Sequence, residues 1–285
     1  MKTLAHKLIS VASGVPSIAT GDIVICNVDL AMIHDSGGPR RVKPILERLN
    51  RSVWDKDKVV VVTDHYVPAT NAETQAIQAL TKEWVREQDI EKFYDEQGIC
   101  HVVLPERGHL SPGKFCVGGD SHSPTGGAFG AYMFGIGATE MAGVLATGTI
   151  WIKVPETILI RWHNQLSPFV TAKDMMLATC RKIGMGGGRY QAIQFAGDAV
   201  RQLGMQDRMT LSNMAAELGA QAGLIAPDET TIDYIHKAGG IVPEDWRSYQ
   251  IEAAETDDNL LSFDAAALAP QIAAPHSPAN ADDAE

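Results

Sequence analysis

Cysteine is scarce. Four thiols, Cys26, Cys100, Cys116 and Cys180, are spread over 285 residues with no C-x-x-C pair and no short repeating interval. That excludes a disulfide framework and a self-contained zinc or iron–sulfur motif, and it suits a reduced, cytoplasmic setting. Long apolar runs are missing too. No stretch approaches the roughly 18 residues of a membrane span, and the opening MKTLAHKLISVASGV lacks the apolar core of about 7–15 residues that an export signal needs. Positive charge is the third shortage. Lysine and arginine total 24 against 35 acidic residues, a formal net charge of −11, and the basic residues are scattered. With no sustained basic face, the sequence predicts no nucleic-acid partner and no membrane partner. The phosphate-cradling patterns GxxxxGK[ST] and GxGxxG are absent as well.

What is present reads as α/β. The short runs DIVICNVDL (22–30), KVVVVTDH (58–65), GICHVVLP (98–105) and KFCVGGD (114–120) are rich in Val and Ile and end at polar or turn residues, which predicts buried strands. Between them, residues 69–88 carry apolar positions at helical spacing behind Asn71, a natural N-cap. Strands alternating with helices of this length predict parallel β-α-β units. The segment 209–230 is expected to be helical, capped by Thr210 or Ser212 and broken at Gly219, with Asn213 and Glu217 on one helical face. From Gly118 to Gly148 nine glycines recur, and we read them as sites of close backbone packing around a large buried group.

The strand ends carry the chemistry. Asp64 and His65 finish one run, His101 lies on another, and Asp120, Ser121 and His122 follow a third, in GGDSHSPT. Ligands of open parallel sheets gather at the carboxyl ends of strands, so three segments can deliver acids and imidazoles to one crevice. Each of them alone has an ordinary structural explanation as a hydrogen-bonded turn or a satisfied histidine. The Asn213/Glu217 spacing likewise fits a plain polar pair on a solvated face.

TDHYVP, GICHVV, GDSHSPTGGAFGAYMFGIGATEM, VTAKDMML and RMTLSNMAAELGAQAGLIAPDETT, in that order along nearly the whole chain, resemble the aconitase family, specifically the large subunits of isopropylmalate isomerase, homoaconitase and dimethylmalate-type dehydratases. The resemblance implies three-layer α/β/α domains with parallel-rich sheets, a first over residues 1–160 and a second over 161–262, while the Ala/Pro/Asp-rich composition of 263–285 predicts a mobile tail. It also implies a hydro-lyase that removes and re-adds water on a small hydroxy di- or tricarboxylic acid with the help of a 4Fe-4S cluster. Asp64 and His65 then resemble the family's Asp-His pair, His101 its second histidine, and Asp120 and His122 the acid and histidine of GDSH. Glu217 and Asn213 match the helical NM..E pair beside the cluster, Ser121 lies next to the substrate, and His34 sits where the family places a substrate-contacting polar residue.

Two departures follow. The family's cluster cysteines, one in a GSCTN-like segment and two in C-x-x-C, have no counterpart here, so no metal ligand is expected in this chain. The resemblance thus implies a cluster-bearing C-terminal region and a small swivelling subunit as partners. The segment HSPTGGAFG also differs from the HTSTHGAFG of isopropylmalate enzymes and is more similar to dimethylmalate-type dehydratases. Three readings stand: a hydro-lyase large-subunit portion; a non-catalytic truncated fragment or interaction subunit; and a mononuclear metal hydratase using His65, His101 and His122, residue types that suit zinc or iron.

Overall fold

In the computed structural model, residues 3–255 and 259–284 are described; residues 1–2 of the first expected domain, 256–258 of the second and 285 of the tail lie outside them. The chain opens with α1 (Leu4–Ser13) and β1 (Ile23–Asn27), then alternates through β2 (Leu30–His34), α2 (Pro39–Leu49), β3 (Val59–Thr63), α3 (Ala72–Glu87), β4 (Phe93–Asp95), α4 (Cys100–Glu106) and β5 (Phe115–Gly118). A 3-10 turn, Ser123–Phe129, leads into β6 (Tyr132–Gly135), α5 (Ala138–Thr147) and β7 (Thr149–Lys153). The remainder is β8 (Thr157–His163), α6 (Ala172–Ile183), β9 (Ala192–Ala196), α7 (Asp198–Gln202), α8 (Met205–Met214), β10 (Ala222–Ile225), α9 (Glu229–Lys237), β11 (Leu260–Asp264), β12 (Gln271–Ala273) and β13 (Ala281–Asp283).

Two parallel sheets organise these elements. The first has the order β4-β3-β2-β5-β6 and the second β10-β9-β8-β11. In the first, both faces are buried, which explains the unbroken valines of β3. Successive side chains point to opposite faces, so Ala31, Ile33, Val59, Val61 and Val117 pack toward α1, α2, α3 and α5. Leu30, Met32, Val60, Val62 and Cys116 pack toward α4 and the 3-10 turn. Helices on both faces make the three layers. In the second sheet, Ile160, Trp162, Ile193 and Phe195 bury against α6 and α8.

The two sheets meet where the 3-10 turn lies on α8 and β10. A β-carbon on Gly127 would overlap the carbonyl oxygen of Gly223, and one on Gly118 would overlap the Ser123 hydroxyl. Gly127 therefore serves backbone-to-backbone approach and Gly118 makes room for a side chain, so what packs against these two glycines is other segments of this same chain. Asn71 does cap α3, its side chain accepting from the Thr74 N–H at 2.9 Å.

Several expectations need correction. Residues 100–106 form a helix, not a strand: the Cys100 N–H at its start is taken by Asp64 Oδ2 at 2.7 Å, so a carboxylate from another segment caps it. Neither Thr210 nor Ser212 is a cap. Helix α8 begins at Met205, and the Thr210 hydroxyl donates back to Gln206 O. Glu217 lies beyond the end of α8, where i→i−3 bonds such as Glu217 N to Met214 O tighten the chain into a turn. Residues 157–160 belong to β8, so the second unit starts before residue 161. The tail expected to be mobile has regular structure. Phe263 in β11 stacks on Trp162 at 4.4 Å, β12 pairs with β13, and Gln271 N donates to Asp174 Oδ1 at 2.7 Å. The alanines that suggested low complexity include Ala265 and Ala281, both buried. Among the described residues no helix is long and apolar enough to cross a membrane.

Candidate active site

Strands β3, β2 and β5 are adjacent and parallel, so their carboxyl ends fall on one edge. His34 ends β2, Asp64 and His65 follow β3, and Gly119–Asp120–Ser121–His122 follow β5. The first turn of α4 adds His101 from the side. The structure brings these side chains into one connected array. Asp64 Oδ1 is 2.6 Å from His65 Nδ1, and His65 Nε2 is 3.5 Å from Asp120 Oδ2. Asp120 Oδ1 is 2.7 Å from His101 Nε2 and accepts the His122 N–H at 2.8 Å. His122 in turn reaches Ser121 Oγ through Nδ1 at 3.1 Å and Glu217 Oε1 through Nε2 at 3.1 Å. The His101 and His122 rings are 6.4 Å apart.

The remaining expected residues are close but engaged differently. His34 is buried, bonds to Gly119 O through Nε2 at 2.9 Å, and stacks on His65 with centroids 3.9 Å apart. Its position is that of a wall behind His65. Asn213 donates to Thr125 Oγ1 at 2.9 Å, and Thr125 donates to His122 O at 2.6 Å, so Asn213 fixes the loop that carries His122. Sequence reasoning missed Asp35. It is fully buried, and its two carboxylate oxygens accept the His65 and Tyr66 N–H groups at 3.1 and 3.0 Å, which anchors the turn presenting Asp64 and His65.

The electrostatics follow the bonds. Hydrogen bonding to Asp120 and then Asp64 outweighs burial and raises the His65 imidazole to about 10. The His101 and His65 bonds keep the Asp120 carboxyl well below the usual range. Burial alone would raise Asp64, but the bonds from His65 and the Cys100 N–H outweigh it and hold that carboxyl low. Burial, followed by the charge on His65, lowers His34. A group whose pKa is raised by folding stabilises the fold below its unfolded value and loses that contribution as pH climbs to its folded one. The His65 contribution should therefore be complete below about pH 6.5 and vanish toward about pH 10. Urea unfolding across this range should show stability falling with pH more steeply for the wild-type chain than for His65→Asn; parallel profiles would refute the pairing.

Two clefts open on either side of Asp120. One of about 290 Å³ is lined by His34, His65, Asp120 and Ser121. A larger one of about 1020 Å³ takes in His101, Thr125, Asn213 and Glu217, together with apolar side chains of α4, α6, α8 and the β12–β13 hairpin. The array thus stands beside two clefts, with the His65 ring lining the smaller one.

Metal ligation was tested on the donor sets. His34, Asp35, Asp64 and His65 place ligand atoms within 4.8 Å of one another, yet each is already committed. His34 Nε2 bonds Gly119 O, His65 Nδ1 bonds Asp64, and the Asp35 oxygens hold backbone N–H groups. We read this set as a hydrogen-bonded network. The four cysteines do not fit a 4Fe-4S cluster. They are buried on four separate elements, β1, α4, β5 and α6, and cluster ligation needs converging thiolates. Burial pushes the Cys26 and Cys116 thiols up to about 12 and Cys180 up to about 11, and burial with the Asp64 charge pushes up Cys100 too. Anaerobic treatment of this chain with iron and sulfide is expected to leave no brown species after desalting; a stoichiometric absorbance near 400 nm would overturn that.

Comparison with known proteins places the chain. The profile of the Aconitase family (aconitate hydratase) matches residues 8–284, and the chain belongs to that family. The 3-isopropylmalate dehydratase large subunit 1 of Methanopyrus kandleri is 44% identical over 98% of this chain and 66% of its own length. A probable methanogen homoaconitase large subunit of Methanothermobacter thermautotrophicus is 38% identical over 95% of this chain and 64% of its own. The chain therefore spans just under two thirds of the length of these curated relatives. Among solved structures, Thermococcus kodakaraensis aconitase X (holo-form) superposes with a TM-score of 0.48 at 12% identity, over 92% of this chain and 63% of that one.

Proposed function

We propose that this chain supplies the acid–base face of a hydro-lyase that removes and re-adds water on a hydroxy di- or tricarboxylic acid such as dimethylmalate, isopropylmalate or homocitrate. One observation carries the reading: the unbroken array Asp64–His65–Asp120–His101, extended through His122 to Glu217, at the carboxyl ends of adjacent strands. Dehydration needs a proton for the departing hydroxyl and a group to remove a proton from the neighbouring carbon. His65, held protonated at the edge of a cleft, suits the first task. Asp64 and Asp120 fix its ring and stabilise its charge, as paired carboxylates do for imidazoles. His122 between Ser121 and Glu217, and His101 against Asp120, add two further imidazoles for shuttling the proton to and from water, and the base that takes the carbon proton would come from the partner polypeptide.

The relatives' names, dehydratase and homoaconitase large subunit, support both the reaction class and a small-subunit partner. The cluster's ligands would come from polypeptide beyond these 285 residues, because the cysteines here do not fit one. The test is assembly. This chain, supplied anaerobically with the remaining third of a relative's large subunit and a small subunit, should hydrate a substituted maleate. An assembly that forms, carries its cluster and turns over no such acid would favour the reading of a non-catalytic interaction subunit.

A further inference from the structure

Arg41 makes no polar contact with the rest of the fold among the described residues. It sits in the first turn of α2, behind Pro39, where the positive end of the helix macrodipole disfavours a cation. Its guanidinium has no hydrogen-bond or ion-pair partner among the described residues, and the side chain is exposed. The adjacent Arg40 behaves differently, donating to Ser36 O at 2.9 Å and lying over the Tyr66 ring. In a chain with a net charge of −11, carboxylates to pair with are plentiful, yet Arg41 is unpaired. It lines the smaller cleft, about 290 Å³, with His65, Asp120 and Ser121.

The charge left unpaired on that cleft is positive. The Asp120 carboxylate faces it, but its oxygens are occupied by His101, the His122 N–H and His65. Asp64 and Asp35 spend theirs on His65 and on backbone N–H groups. His34 is bonded to Gly119 O. Among the described residues lining this cleft, Arg41 is thus left as the uncommitted charge. A guanidinium fork matches a carboxylate in a bidentate pair, and the space suits a short carboxylic acid.

We propose that Arg41 binds a carboxylate of the substrate in this cleft, so that it selects acids whose hydroxyl-bearing carbon then falls beside His65. The identity of the anion rests on the hydro-lyase reading; the existence of the subsite does not. Because Arg41 is exposed and unpartnered, its replacement should leave the fold intact. Succinate, a dianion without a hydroxyl, is titrated into the full chain while the arginine side-chain and histidine ring resonances are followed by NMR. Saturable shifts of Arg41 and His65 are expected, absent with neutral succinamide. Arg41→Gln should weaken binding tenfold or more, and Arg41→Lys should recover part of it, since a charge-assisted bidentate pair is replaced by a point charge. Succinate that leaves Arg41 unshifted, or that binds Arg41→Gln as tightly as wild type, overturns the inference without touching the acid–base reading. In the assembled enzyme Arg41→Gln should raise KM for the diacid far more than it lowers kcat, and an unchanged KM would likewise count against it. An assembly without turnover in which succinate still shifts Arg41 would sink the hydro-lyase reading and leave the anion subsite standing.

Discussion

Asp120→Asn in the assembled enzyme should lower kcat for hydration of a substituted maleate by about a thousandfold, within the range that acid–base groups contribute. Asp120 is the junction of the array: one oxygen faces His101 and the His122 N–H, the other faces His65. The amide has the same shape, so the loop should stay in place and KM should change little. It presents an NH2 group to one of the imidazoles, however, and it removes the charge that keeps His65 protonated. Two rings lose their shared partner at once. A kcat within a few-fold of wild type, at full cluster occupancy, would show that the junction does not serve the chemistry.

His122→Ala should reduce turnover by about a hundredfold or more, and for a separable reason. The bond that positions Asp120 comes from the His122 backbone N–H, which alanine retains. What disappears is the ring between Ser121 Oγ and Glu217 Oε1. Glu217→Gln should cost less, about tenfold, because the amide oxygen still accepts from Nε2 while the negative charge is lost. Steady-state kinetics on the two variants would separate the roles. Equal losses would place the carboxylate charge and the ring in one function, and unchanged turnover in His122→Ala would remove this histidine from the mechanism.

Strands β3 and β5, with the polar residues that follow them, were legible because they depend on local pattern, whereas the run 22–30 holds β1, which pairs antiparallel with β7 outside the first sheet. Buried parallel strands read as short Val/Ile runs whose polar residues follow at the carboxyl end, and that rule led to Asp64, His65, Asp120 and His122. His101 was legible as a residue but not as part of a helix: GICHVV has no period that separates a short buried helix from a strand, and its start is stabilised by Asp64, 36 residues earlier in the chain. Asp35 was hidden because its partners are backbone N–H groups on the next strand's end, which no side-chain pattern reports. Glu217 reaches His122 through a turn that follows α8, so the i, i+4 argument identified the residue by a geometry it does not adopt. At the tail, composition did not report that the alanines at 265 and 281 are buried.

The central claim is that Asp64, His65, Asp120 and His101 act as one proton-handling array. It is tested most directly by long-range 1H–15N correlation of the histidine rings in the full chain, from about pH 6 to about 11. His65 should keep both ring protons well above neutrality, with a midpoint near 10, and in Asp120→Asn that midpoint should fall markedly toward the ordinary value of about 6.5. A wild-type His65 that titrates near 6.5, or one indifferent to the loss of the Asp120 charge, would contradict the claim.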